Sequence, residues 1–302
     1  MKKFGKPILA FILFLIIQGI VTALAGIVAL LINADALSAA LQGNQDAVGA
    51  ALMTPTFLGI TLIISSLLTV LAIRQLKMMT ISKAFCTGNI TTSITITAVI
   101  AALTGITATN ILSEILDLPN IIEAQLTDMS SNIWGILAIS IFGPIAEEVV
   151  FREAILGGTL RKGVKPWAAI TFSALLFGLV HMNPAQIPFA FCVGLILGYI
   201  YYRTGNIVLT SIIHIINNGT SCLLMYFYGD KADDIKISDM LGGTMQGITA
   251  AVILAAVCVG VLYLFKKYTH KIEYTDQQPY TQDIPEPVSS DTHSDSENQI
   301  QD

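Results

Sequence analysis

The chain has 302 residues, 54% of them hydrophobic and only 12% charged, with a mean hydropathy of +0.70. Soluble domains carry about 25% charged residues, so this composition excludes an ordinary soluble fold and specifies an all-α polytopic membrane bundle. The net charge of −5 comes without a basic stripe, which leaves no footprint for a nucleic acid partner. Cys86, Cys192, Cys222 and Cys258 have no paired spacing, so neither a disulfide framework nor a cysteine metal site is expected.

In chain order, Lys2, Lys3 and Lys6 precede an apolar run from Ile8 to Ile32. A span needs about 20 apolar residues, and this run is long enough. Ala23-Leu24-Ala25 resembles a signal-peptide cleavage site. However, the run continues past it to Ile32 with no polar region before the site, so it reads as an uncleaved first helix. Further spans are predicted over Thr56–Ile73, Thr92–Leu112, Ile133–Phe151, Trp167–Met182, Ala185–Tyr202, Ile207–Phe227 and Met245–Phe265, about eight in all. The third is rich in threonine. The fifth is short, and Pro184 and Pro188 make its junction with the sixth tight. Gly194 and Gly198 form a small-xxx-small pair, a signal of close helix packing.

Charge sets the orientation. Of the 16 Lys and Arg residues, only Lys231 and Lys236 fall on one side of this alternation. That side also holds Asp35, Asp46, Glu114, Asp117, Glu123, Asp128, Asp230 and Asp239. Positive loops stay inside, so both termini are expected in the cytoplasm. Residues 1–272 then form the transmembrane bundle, and the acidic, Pro- and Ser-containing segment 273–302 reads as a disordered cytoplasmic tail.

Three stretches carry the chemistry. Gly143 to Arg152 places Glu147, Glu148 and Arg152 within an apolar helix pattern, where each ionisable group costs upward of about 2.5 kcal/mol. Glu148 and Arg152 are i, i+4 and share a face, so an ion pair is expected between them. Glu147 points roughly 100° away and is free to face a neighbouring helix. His181 follows an apolar run in which Phe177 lies four residues earlier. His214 and Asn218 share one face of the seventh span. Two of the stretches have a bland alternative when taken alone: an interfacial helix end for the first stretch and a satisfied interfacial histidine for His181. Asn217 points elsewhere, toward a helix–helix hydrogen bond.

Together, a carboxylate and an imidazole can hold a water and take its proton. A second His and an Asn amide can donate to a developing oxyanion. This suits peptide hydrolysis by activated water. Glu147, His181 and His214 would equally make a three-ligand zinc set with an open position, and with no H-E-x-x-H motif both routes stay open.

These residues resemble the CPBP (CAAX protease and bacteriocin-processing, or Abi) intramembrane proteases, which include type II CAAX prenyl endopeptidases. The family's E-E-x-x-x-R is matched by Glu147–Arg152, its F-x-x-x-H by Phe177–His181 and its H-x-x-x-N by His214–Asn218. The resemblance covers a core of about 133–228. It implies an eight-helix bundle whose conical cavity opens to the cytoplasm and the membrane. It implies Glu147 and His181 as the water-activating pair, His214 and Asn218 as oxyanion stabilisers, and a membrane-associated protein or peptide as substrate. No cofactor is needed by such a pair, although a divalent metal such as zinc is left open. Glu153 departs from the glycine that many members carry there.

Geometry adds a demand. A helix ending at Phe151 would put Glu147 about 6 Å from its end, whereas His181 lies about 20 Å along its own helix. The fourth helix must therefore run on to about Leu160. The rival readings are a proton-coupled transporter using Glu147 and His181, and a non-catalytic bacteriocin-immunity or adaptor protein. The transporter would predict internal inverted repeats, and none is visible.

Overall fold

A computed structural model describes residues 3–52, 54–79, 90–231, 235–270, 272 and 274. Its elements in order are α1 (Gly5–Ile32), α2 (Ala34–Leu41), α3 (Gln45–Leu52), α4 (Pro55–Gln75), α5 (Thr92–Leu116), α6 (Glu123–Ser130), α7 (Ile133–Arg161), α8 (Pro166–Leu179), α9 (Gln186–Thr204), α10 (Ile207–Tyr228), α11 (Ile237–Met240) and α12 (Thr244–Tyr268). Among the described residues there is no strand. The chain is a polytopic all-α membrane bundle. Among the described residues seven helices are long and apolar enough to cross a membrane: α1, α4, α5, α7, α9, α10 and α12.

The expected eighth span, Trp167–Met182, is corrected. Only Pro166–Leu179 is helical, 14 residues, which is about 21 Å of rise against a hydrocarbon core of about 30 Å. Pro184 explains the early stop, because its ring disfavours helical backbone at the residue before it. Met182 turns the chain with φ 48°. The threonine-rich third span, by contrast, forms a long helix. Thr97, Thr104 and Thr109 each donate their hydroxyl to the carbonyl four residues back, within 2.8 Å. This satisfies a side chain that would otherwise be unpaired in an apolar environment.

Small residues set the packing. Gly194 and Gly198 of α9 face Ala174 and Ile170 of α8, where an added Cβ would meet atoms at 3.0 and 3.2 Å. Gly105 of α5 faces Cys258 of α12 in the same way, at 2.9 Å, so this buried thiol acts as a small packing residue. The main core joins Phe14 of α1, Ile73 of α4, Phe151 and Ile155 of α7, Ile170 and Phe177 of α8, and Tyr201 of α9.

The bundle has two chemically distinct ends. At the basic end Lys3 Nζ donates to Gly163 O at 3.2 Å, and Arg203 donates to Lys266 O at 3.0 Å and to Thr269. At the acidic end the Glu114 carboxylate accepts from the backbone N–H groups of Ile237 and Ser238, both at 3.1 Å. Lys236 lies 3.5 Å from Asp117 at that same end. The predicted tail, 273–302, lies outside the described residues except for Tyr274. The Tyr274 hydroxyl donates to the carbonyls of Tyr201 and Tyr202 at the basic end.

Candidate active site

α7 runs through Arg152 to Arg161, so Glu147 occupies its midpoint. The helix is interrupted by two π-helical segments, Ala138–Phe142 and Val149–Gly157. Such turns are rare and concentrate at functional sites. The first has a local cause. Gly143 N–H reaches back to Ala138 O, but Pro144 has no N–H to continue the ladder. Ile139 O instead accepts from Asn218 Nδ2 of α10, at 3.2 Å. Asn218 also accepts at Oδ1 from Asn217 Nδ2, at 3.0 Å. One of its two amide hydrogens is therefore tied to α7.

Every residue of the second π segment is buried. Arg152 Nε donates to Glu148 Oε2 at 3.0 Å, with both side chains 0% exposed. The other carboxylate oxygen, Oε1, lies 3.2 Å from His214 Nδ1. Sequence spacing exposes the first contact, because it lies within one helix turn. It cannot expose the second, which links residues 66 positions apart. Glu148 therefore holds His214 as well as Arg152. The remaining Arg152 nitrogens have no hydrogen-bond partner, and the guanidinium sits 4.9 Å from the centroid of the Phe177 ring, a cation–π contact.

Glu147 is about one-fifth exposed, and its Oε2 lies 3.6 Å from His214 Nε2. That oxygen is itself buried and accepts no hydrogen bond. His214, 3% exposed, thus has a carboxylate oxygen at each ring nitrogen. A ring with a proton on each nitrogen would donate to both.

His181 sits just beyond the end of α8, in the turn rather than on the helix. Its Nδ1 is 2.8 Å from Phe177 O. A carbonyl only accepts, so the neutral ring carries its proton on Nδ1 and keeps a lone pair on Nε2. Phe177 is the common wall, edge-on to both His181 (5.2 Å between centroids) and His214 (5.6 Å).

Asn183 escaped the sequence reading. Fully buried, it accepts from Ile121 N–H at 3.1 Å and donates to Asn120 at 2.8 Å. Ala185 N–H donates to Pro119 O at 3.2 Å. These bonds hold the turn that carries His181. The only hint in sequence is an Asn-Pro pair, which marks a turn but not its partners.

Glu153, where many family members carry glycine, is engaged away from Glu147 and His214. Arg161 Nη1 donates to it at 2.9 Å, and the Tyr201 hydroxyl also donates to it.

Glu147, His181, His214 and Asn218 line one cavity of about 870 Å³ between α1, α4, α5, α7, α9 and α10. Gln18, Ser66 and Phe177 share its wall. The cavity extends to Asp117, Tyr228, Lys236 and Met240, at the acidic end. Among the described residues no three His, Cys, Asp or Glu side chains converge on a metal-holding set. Glu147, His181 and His214 share a cavity without closing around a common point, so no step is routed through a metal.

Residues 129–220 match the family model described as Rce1-like, type II CAAX prenyl endopeptidase. The segment contains every residue of the site. The chain is also 38% identical over 89 residues to the membrane-embedded CAAX protease MroQ of Staphylococcus aureus (strain USA300), covering 28% of this chain and 36% of that protein. It is 31% identical over 83 residues to YdiL of Bacillus subtilis (strain 168), which carries the name of a membrane peptidase; that match covers 28% of this chain and 34% of the other. The chain spans about a third of the length of the curated relatives it matches. No solved structure matches it. Through this central segment the chain is similar to CAAX-type membrane proteases.

Proposed function

We propose that the chain is an intramembrane endopeptidase that hydrolyses a peptide bond of a membrane-associated protein or peptide with water activated by Glu147 and His181. One observation carries this reading. Glu147 Oε2 is a buried acceptor without a donor, and it shares a cavity with a histidine whose Nε2 lone pair is kept free by the Phe177 carbonyl. A water there can donate to both acceptors at once.

The water oxygen attacks the substrate carbonyl carbon, forming a C–O bond while its proton passes to Glu147. The oxyanion accepts hydrogen bonds from His214 Nε2–H and from the amide hydrogen of Asn218 that Ile139 does not use. Collapse breaks the C–N bond, and Glu147 returns the proton to the leaving amine. Glu148 and Arg152 act by positioning His214 and the helix. The lysine and arginine bias supports a cytoplasmic position for both termini.

The test is cleavage of membrane-peptide substrates by wild type, Glu147→Ala and His181→Ala, with and without a chelator. Loss of cleavage in both variants and indifference to the chelator are expected. Equal activity in all three proteins would refute the mechanism, and chelator-sensitive activity would refute its metal-free form.

A further inference from the structure

Resting on the hydrolytic reading of this site, we propose that substrate reaches Glu147 from the acidic end of the bundle. The cleaved bond then belongs to an extended, largely apolar peptide segment on the extracytoplasmic side of the bilayer.

The cavity has a floor and a rim. The floor lies between the site and the basic end, where Phe151, Ile155, Leu156, Ile170 and Phe177 are at most 1% exposed. The Glu148–Arg152 pair above them is also sealed, at 0%. No residue of the 162–166 or 266–269 segments lines the cavity. The rim lies at the other end. There Asp117 and Met240 both line the cavity and are open to solvent, at 85% and 78%. Glu114 ties the start of α11 to the end of α5 through two backbone N–H groups, so this rim is a built feature.

The cavity wall is mixed in character. Asn110, Ser113, Asn217 and Ser221 present groups that can pair with a peptide backbone, and Leu126 and Met225 present apolar surface. An unfolded peptide at membrane depth needs both, because its backbone polar groups have no water to bond.

Orientation then decides the compartment. Lys3, Arg161, Lys162, Lys165, Arg203, Lys266 and Lys267 occupy the closed end, which the positive-inside rule assigns to the cytoplasm. The open end faces outward.

Thiol accessibility tests this without a known substrate. In full-length protein with Cys86, Cys192, Cys222 and Cys258 replaced by Ala, Ser221→Cys or Asn110→Cys is introduced on the cavity wall. Lys165→Cys reports the basic end. A membrane-impermeant sulfonated maleimide is added to right-side-out and to inside-out vesicles. Labelling of both wall positions in right-side-out vesicles, with Lys165→Cys labelled only in inside-out vesicles, is expected. Wall cysteines that label only together with Lys165→Cys, or from neither face, overturn the proposal, as does labelling of Lys165→Cys from outside. Two wall positions on different helices guard against one failing to fold. Labelling needs no turnover, so Glu147→Gln should label as its parent does. Cleavage by Glu147→Gln equal to that of its parent, with labelling intact, would remove the hydrolytic reading and leave the route standing.

Discussion

Glu148 Oε1 lies 3.2 Å from His214 Nδ1, while Oε2 of the same carboxylate takes Arg152 Nε at 3.0 Å. One fully buried carboxylate thus joins two residues of α7 to the histidine of α10. Removing it strands a buried guanidinium, which costs about 3–5 kcal/mol. Glu148→Ala is therefore expected to lower the unfolding midpoint in detergent sharply and to abolish cleavage. Glu148→Gln keeps one acceptor oxygen, enough for Arg152 or His214 but not for both, and should recover part of the stability. If Glu148→Ala unfolds like wild type, the clasp has no structural role.

Glu147 stands in contrast to its neighbour. It makes no hydrogen bond at Oε2, so Glu147→Gln should leave stability near that of wild type. Its effect should fall on turnover, by about 10²–10⁴-fold for a lost general base. Parallel measurement of cleavage rate and thermal midpoint separates the two carboxylates. A Glu147→Gln protein that unfolds easily would place Glu147 in the scaffold instead.

The bond from Asn218 to Ile139 O and the proposed oxyanion role of Asn218 can be separated by a double substitution. Asn218→Ala leaves Ile139 O unpaired, at a cost of about 1–3 kcal/mol, and removes an oxyanion donor. Adding Pro144→Ala restores a backbone N–H that can reach that carbonyl. Stability should recover in the double variant while cleavage stays about 10²–10³-fold down. Recovery of both would make Asn218 a helix-joining residue only.

Phe177 touches His181, His214, Arg152 and Phe151 through one ring. Phe177→Ala should cost about 3–5 kcal/mol as a core cavity. Phe177→Leu should recover most of that stability but not the edge-on walls of the two imidazoles. Its cleavage rate should stay below that of wild type at temperatures where it is fully folded.

Asn183→Ala removes the acceptor of Ile121 N–H and the donor to Asn120. A stability loss of about 1–3 kcal/mol is expected, with a larger loss of cleavage because the turn carrying His181 loosens. Asn183→Asp keeps the acceptor and should hold the Ile121 bond. Equal cleavage by Asn183→Ala and wild type would show that the turn is held by other means.

These cases show which features reach the sequence. The Glu148–Arg152 pair was legible because i, i+4 neighbours meet on any helix, and the run of α7 past Arg152 followed from the depth that Glu147 and His181 must share. The π-helical segments were not legible, because apolar residues surround them on all sides and the 3.6-residue period was the natural assumption. The link from Glu148 to His214 and the anchoring of Asn183 by the 119–121 loop join distant parts of the chain, which no local pattern encodes. The length of α8 was misread because the apolar run continues through Val180, whereas Pro184 ends the helix earlier.

The short α8 has a consequence for how the chain enters the membrane. A 14-residue helix is a poor independent span, and the turn after it is tied to the preceding loop by Ala185 N–H to Pro119 O and by Ile121 N–H to the Asn183 side chain. Lipid offers no substitute for those partners. α8 and α9 must therefore be inserted as one hairpin, and they settle only after the segment following α5 is in place. Assembly of the bundle and the meeting of His181 with the cavity that holds Glu147 become the same event during biogenesis, because His181 reaches its position only when that hairpin docks.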